Sequence, residues 1–213
     1  MSIARRKFKR ESAETRKEAL VQATLDLVAE KGVRGATVRE ISERADVTQG
    51  LIRHYFSTKE ELISSAYEYH MTMLTDQTAS SVLEGSARAR LAGFVAASLT
   101  PPVVDPRSVA LWAGFLNKVQ HDGEMRAIHE RTYEYFRDHL EGLIDGALAE
   151  AGQNCPKARL KQLAIACNAV IDGLWMEGGA LPDAFDTGEL ARIGLYSVGA
   201  IIGISLEEKA AKP

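Results

Sequence analysis

Gly35-Ala-Thr-Val-Arg-Glu-Ile-Ser-Glu-Arg-Ala-Asp-Val-Thr-Gln-Gly-Leu-Ile-Arg-His-Tyr-Phe-Ser-Thr-Lys-Glu-Glu-Leu62 is the stretch that decides how this chain folds. Thr37-Val-Arg-Glu40 fits a capping box, in which the threonine hydroxyl and the glutamate each satisfy a free backbone donor of a first helical turn. A short helix follows with Val38, Ile41 and Ala45 facing inward. Asp46 then marks a turn, because Asp tolerates left-handed backbone angles, and Thr48 caps a further short helix from Gln49 to Phe56 that places Ile52 and Phe56 in the core. Thr58-Lys-Glu-Glu61 is a second capping box. It opens a long helix to about Ser81, with Leu62, Ala66, Tyr69 and Met73 on one stripe. Upstream, Leu20, Ala23, Leu27 and Val28 repeat at helical spacing, Lys31 sits in a last turn, and Gly32 supplies the stop, so a helix is expected from about Ser12 to Lys31. Three helices with the turn at Ala45-Asp46-Val47-Thr48 make a helix-turn-helix. That geometry sends the third helix into a DNA major groove while the second crosses the backbone.

Beyond Gly85, apolar periodicity predicts helices near 87–99, 107–121, 124–151, 157–180 and 187–207. The six prolines (101, 102, 106, 156, 182 and 213) fall between or after them as punctuation. Nothing alternates with period two, so the expected fold is all-α in two parts: residues 1–57, including a basic arm over 1–11, and residues 58–213. Of 213 residues 46% are hydrophobic and 26% charged, which excludes general disorder. The longest uncharged apolar-rich run, Ile193 to Leu206, is too short for a membrane span, and no apolar leader follows the basic start, so a cytoplasmic protein with no membrane partner is expected. Charge is uneven. Residues 1–60 carry 13 Lys/Arg against 9 Asp/Glu, whereas residues 61–213 carry 13 against 20. The positive excess, concentrated in Arg5, Arg6, Lys7, Lys9 and Arg10, suits a polyanion at that end and an arm that reaches a flanking minor groove.

Enzyme chemistry has no foothold in the pattern. Residues three before His54, His70, His121, His129 and His139 are not glutamates, which removes a four-carboxylate metal bundle, and His129-Glu130 lacks a second histidine because the required position is Tyr133. Cys155 and Cys167 form no metal or disulfide pattern. No catalytic residue, metal or cofactor is expected, and the rival of a different class is an acidic helical scaffold that binds protein.

The stretch from Gly35 to Leu62 resembles the DNA-binding signature of the TetR/AcrR repressors, with Asp46 where the family often has glycine. Gly50-Leu-Ile-Arg-His-Tyr-Phe56 and Ile171-Asp-Gly-Leu-Trp175 resemble the BetI-type, choline-responsive subgroup, and Ala110-Leu-Trp112 is a weaker echo of it. The resemblance implies a three-helix DNA-binding domain, a six-helix ligand-binding and dimerising domain, and a homodimer on a palindromic operator that a small effector releases. Thr37, Arg39, Tyr55 and Lys59 are then candidates for phosphate contacts. Thr48, Gln49, Gly50, Leu51 and Arg53 face the groove, Gln49 suiting adenine and Arg53 guanine. His54 is expected to be packed rather than a contact.

For the dimer interface the expected residues are Ala164, Cys167, Asn168 and Ile171 on one helix. Leu195, Val198, Ile202 and Leu206 on the next follow the same logic, with Gly199 and Gly203 allowing close backbone approach. For the effector, Trp112, Trp175, Phe94, Phe115, Tyr133 and Phe136 supply ring faces and Asp172 a carboxylate. That combination suits a quaternary ammonium such as choline. The alternative within the family is a sensor of hydrophobic drugs that controls an efflux pump.

Overall fold

The computed structural model describes residues 13–80 and 84–206; the arm residues Arg5, Arg6, Lys7, Lys9 and Arg10 lie outside them. Nine α-helices occur among the described residues and no strand: α1 (Ala13–Gly35), α2 (Val38–Arg44), α3 (Gln49–Tyr55), α4 (Lys59–Ser80), α5 (Ala87–Ser98), α6 (Pro106–His121), α7 (Gly123–Glu150), α8 (Lys157–Ala180) and α9 (Glu189–Ile202), with a 3₁₀ turn at Pro182–Ala184 before α9. The fold is the all-α one expected. Internal contacts divide the chain into Met1–Ala66 and Tyr67–Pro213, a division that falls inside α4.

In the first unit α1 packs on α2 and α2 on α3. α1 is interrupted at Gly32, whose φ of 71° is left-handed; the chain then makes one more turn to Gly35. Thr37 forms the full capping box, its hydroxyl accepting from Glu40 N at 3.2 Å while the Glu40 carboxylate accepts from Thr37 N at 3.4 Å. Thr58 accepts from Glu61 N at 3.0 Å, but the Glu61 carboxylate reaches past it to Ser57 N at 2.7 Å, so the second box is half formed. Asp46 has φ 53°, the one non-glycine positive φ among the described residues.

In the second unit α5 packs on α7 and α9, α7 on α8, α8 on α9, and α6 on both α7 and α8. Leu91, Phe94, Val95, Leu140, Ile144, Leu163, Cys167, Ile171, Val198 and Ile202 form its buried core. Ser86, Asp105 and Asp122 cap α5, α6 and α7 through their side-chain oxygens. Two expectations need correction. On α4 the buried positions are Leu62, Ile63, Ser64, Ala66, Tyr67, His70, Thr75 and Thr78, while Tyr69 is exposed and Met73 half-buried, because neighbours contact a stripe turned slightly from the one the apolar spacing suggested. α9 ends at Ile202, not near 207. Gly203 caps it in the left-handed conformation, and the chain folds back so that Leu206 is buried.

Candidate nucleic-acid interface and ligand cavity

The first unit presents α3 as its outward helix. Ile52 and Phe56 are each 2% exposed and fix the inward side, so Thr48, Gln49, Gly50 and Arg53 are exposed and Leu51 and Tyr55 flank them half-buried. His54 does not pack inward. It stands two residues from both buried anchors, on the far side of the helix, exposed, with its ring edge-on to Tyr55 at 5.1 Å. His54 is thus an outward-facing, exposed residue, against the expectation that it packs. Gly50 leaves open space beside it: a Cβ there would meet nothing closer than Thr48 Oγ1 at 3.8 Å.

The residues expected at phosphates are held differently. Arg39 is exposed and paired with Glu43 at 2.9 Å, an i,i+4 pair that contributes little in water and yields readily to a phosphate. Thr37 is occupied by the cap, and Lys31 hydrogen-bonds to the same Glu40 at 2.8 Å. That bond, with those from Thr37, holds the Glu40 carboxyl at a pKa of about 2. Lys59 donates to Val33 O at 3.4 Å, and Tyr55 is half-buried beside His54.

The second unit contains a cavity of about 60 Å³. Met71, Leu74, Thr75 and Thr78 of α4, Ser98 and Val103, Trp112 of α6, Thr132, Tyr133 and Phe136 of α7, and Asn168, Ile171, Asp172 and Trp175 of α8 line it. Trp112 and Trp175 meet edge to face at 6.2 Å. Their N–H groups are occupied, Trp112 donating to Tyr133 Oη at 3.0 Å and Trp175 to Val103 O at 2.9 Å. The hydroxyls of Thr75, Thr78, Ser98 and Thr132 donate to main-chain carbonyls, and Asn168 Nδ2 donates to Asp172. The wall therefore combines aromatic rings and acceptor oxygens with one carboxylate. Burial raises the Asp172 pKa to about 6, against the Asn168 hydrogen bond and Arg137, which lower it. Burial, then the Asp172 charge, push Tyr133 up to about 12.

Five of the seven residues expected at the effector line this cavity; Phe94 and Phe115 do not. Phe94 packs on Phe136 at 5.2 Å and Phe115 on Tyr67 at 4.9 Å, both nearly inaccessible, because their helices turn these rings to the core behind the cavity wall. Met71, Leu74, Thr75 and Thr78 were missed because the α4 pattern gives no aromatic or charged signal there. The expected dimer residues are also placed otherwise. Ala164, Cys167, Ile171, Val198, Ile202 and Leu206 are buried in their own unit, Leu195 packs against that core, and Asn168 and Ile171 face the cavity. Gly199 packs on the returning chain, where a Cβ would come within 2.8 Å of Ile204 O, and Gly203 is the α9 cap. The apolar surface left open on these helices is the neighbouring stripe: Ile165, Ala169 and Met176 on α8, with Ile193, Tyr196 and Ala200 on α9, Tyr196 being 68% exposed.

Residues 20–66 match the family model described as bacterial regulatory proteins, tetR family, and residues 87–203 match that of the BetI-type transcriptional repressor, C-terminal. The chain belongs to the TetR family, with a BetI-type C-terminal domain. It is a DNA-binding transcriptional regulator and not an enzyme. It is 29% identical over 177 residues to the HTH-type transcriptional regulator BetI of Burkholderia thailandensis, covering 82% of this chain and 87% of that protein. A transcriptional regulator from Pseudomonas aeruginosa PAO1 superposes with a TM-score of 0.82 at 29% identity, covering 92% and 95% of the two chains. A regulator from Saccharomonospora viridis, solved in complex with choline, has a TM-score of 0.69 at 16% identity over 86% of this chain and 94% of that one; this likeness is one of fold. Among the described residues no helix is long and apolar enough to cross a membrane.

Proposed function

We propose that this TetR-family regulator binds a two-fold symmetric operator as a homodimer and releases it when a small cation of the choline class fills the cavity of the second unit. The observation that carries the effector class is the cavity wall itself. Its N–H and O–H groups are largely spent on protein acceptors, two indoles and two further rings stand around it, and its single ionisable acid is Asp172. A quaternary ammonium asks for ring faces and a counter-charge and gains cation–π attraction of about 0.5–2 kcal/mol per desolvated ring. Filling the cavity need only favour the conformation with mis-spaced recognition helices, and DNA and ligand then weaken each other by one factor.

At the operator, Thr37, Arg39, Tyr55 and Lys59 serve phosphates, and Thr48, Gln49, Gly50, Leu51, Arg53 and His54 address base edges. The dimer forms through the exposed stripe of α8 and α9. The test is a fluorescence titration of Trp112 and Trp175 with choline, betaine aldehyde and the neutral carbon isostere of choline. Saturable quenching by the cations with a weaker response to the isostere supports the reading. No response to either cation at millimolar concentration, or an equal response to the isostere, refutes it.

A further inference from the structure

The cavity wall is short of side-chain donors. A hydroxyl has one proton to give, and those of Thr75, Thr78, Ser98 and Thr132 go to carbonyls of their own helices. The Trp175 N–H goes to Val103 O, and the Trp112 N–H goes to Tyr133 Oη at 3.0 Å. Asn168 gives one hydrogen of Nδ2 to Asp172. Tyr133 accepts from Trp112, and among the described residues no acceptor takes its own proton. The Tyr133 O–H and the second hydrogen of Asn168 Nδ2 are thus the side-chain donors that this wall holds for a ligand. Asn168 is tied through that nitrogen to Asp172, the carboxylate with which a cation pairs, so an ammonium group opposes its remaining N–H. Tyr133 is the donor left for the rest of the ligand.

The Tyr133 side chain is also held. Trp112 donates into its oxygen, and its ring lies 4.3 Å from that of His129, whose Nδ1 is in turn fixed 2.6 Å from Tyr67 Oη. A hydroxyl that accepts one hydrogen bond is polarised to donate a stronger one. With its pKa pushed up to about 12 the phenol keeps its proton near neutral pH, and part of that rise comes from Asp172, so the carboxylate and the hydroxyl lie within each other's field. Resting on the effector reading above, we propose that Tyr133 determines specificity within the cationic class: Asp172 pairs with the ammonium group, and the Tyr133 O–H donates to an oxygen that the ligand carries on a short arm. The chemistry recognised is an ammonium ion with a hydroxyl, ether or carbonyl oxygen. An alkyl arm of the same shape leaves the phenol proton unpaired in the filled cavity, which is costly.

Calorimetric titration of the full-length protein tests this with two ligand pairs matched in shape: choline with propyltrimethylammonium, and methoxyethyltrimethylammonium with butyltrimethylammonium. The ether oxygen accepts a hydrogen bond and has none to give. Wild type is expected to prefer the oxygen-bearing member of each pair by about two- to twelve-fold, the range that one neutral hydrogen bond supplies. A preference for choline with none for the ether would mean that the ligand's hydroxyl donates to the wall, and it overturns the proposal, as does no preference in either pair; cation binding without preference leaves the effector reading standing. If none of the four cations binds, the effector reading fails and the proposal falls with it. The hydroxyl itself is removed by Tyr133→Phe in a Trp112→Phe background, compared with Trp112→Phe alone, so that no released indole N–H takes its place. The choline preference is expected to fall to within about two-fold of unity while propyltrimethylammonium affinity stays within about two-fold. A merely structural hydroxyl would weaken both ligands by one factor and keep the preference, which overturns the proposal; if either variant fails to fold, the ether pair on wild type decides.

Discussion

Asn168 Nδ2 donates a 2.9 Å hydrogen bond to Asp172 Oδ2 one turn further along α8, on the wall of the cavity. The bond holds the carboxylate in place on the cavity wall, while burial raises its pKa from 3.8 to about 6. Because the folded-state value is the higher one, this group's contribution to stability is full below about pH 4 and is lost as pH rises through about 6. Asp172→Asn is therefore expected to stabilise the ligand-free protein at pH 7.5 by roughly 1–3 kcal/mol and to leave it unchanged at pH 3.5. The same variant is expected to lose choline binding. Wild-type affinity for choline should fall about tenfold between pH 7.5 and pH 5, as the carboxylate protonates. Thermal unfolding and fluorescence titration across pH measure both, and a pH-independent affinity would contradict the role of Asp172.

His54 and Arg53 stand on the outward side of α3. Arg53→Ala and His54→Ala are each expected to cost about 1–3 kcal/mol at one base pair per half-site and to relax preference there. Competition with single-base-pair variants of the operator reads this. An equal loss on every sequence would mean that the side chain meets only phosphate.

The basic residues Arg5, Arg6, Lys7, Lys9 and Arg10 should act through charge alone. Removing residues 2–10 is expected to weaken binding and to reduce the slope of log affinity against log salt by about 0.9 for each phosphate that the arm neutralises. An unchanged slope would leave the arm without a DNA role.

Asp46 occupies a left-handed position between α2 and α3. Asp46→Gly should be within about 0.5 kcal/mol of wild type, since glycine reaches φ 53° freely, whereas Asp46→Val should cost about 1–2 kcal/mol through its β-branch. Chemical denaturation compares them. Equal stability of the glycine and valine variants would show that the turn relaxes.

On α8 and α9 the two apolar stripes should separate by their effects. Tyr196→Arg with Ala169→Arg, both exposed, is expected to give a folded monomer by light scattering and to reduce binding to that of one half-site. Ile202→Ala, buried in its own unit, should instead cost about 2–5 kcal/mol of stability. A dimer that survives the double substitution would move the interface elsewhere.

The sequence by itself determined what is decided within one or two turns of chain. Thr37 and Glu40 must be three residues apart to exchange backbone bonds, Asp46 must accept a positive φ, and Ile52 and Phe56 must share a side; each was legible because its partner is a near neighbour. The tertiary structure alone decided which of several apolar stripes turns inward. α9 carries Val198 and Ile202 on one side and Ile193, Tyr196 and Ala200 on another, and only packing against α5 and α8 buries the first set and leaves the second. Likewise Phe94 and Phe115 look like Trp112 and Phe136 in sequence, and the rotation of each helix separates core rings from cavity rings. Local hydrogen bonding is written in residue spacing, whereas the burial of an apolar face depends on neighbours far away in the chain.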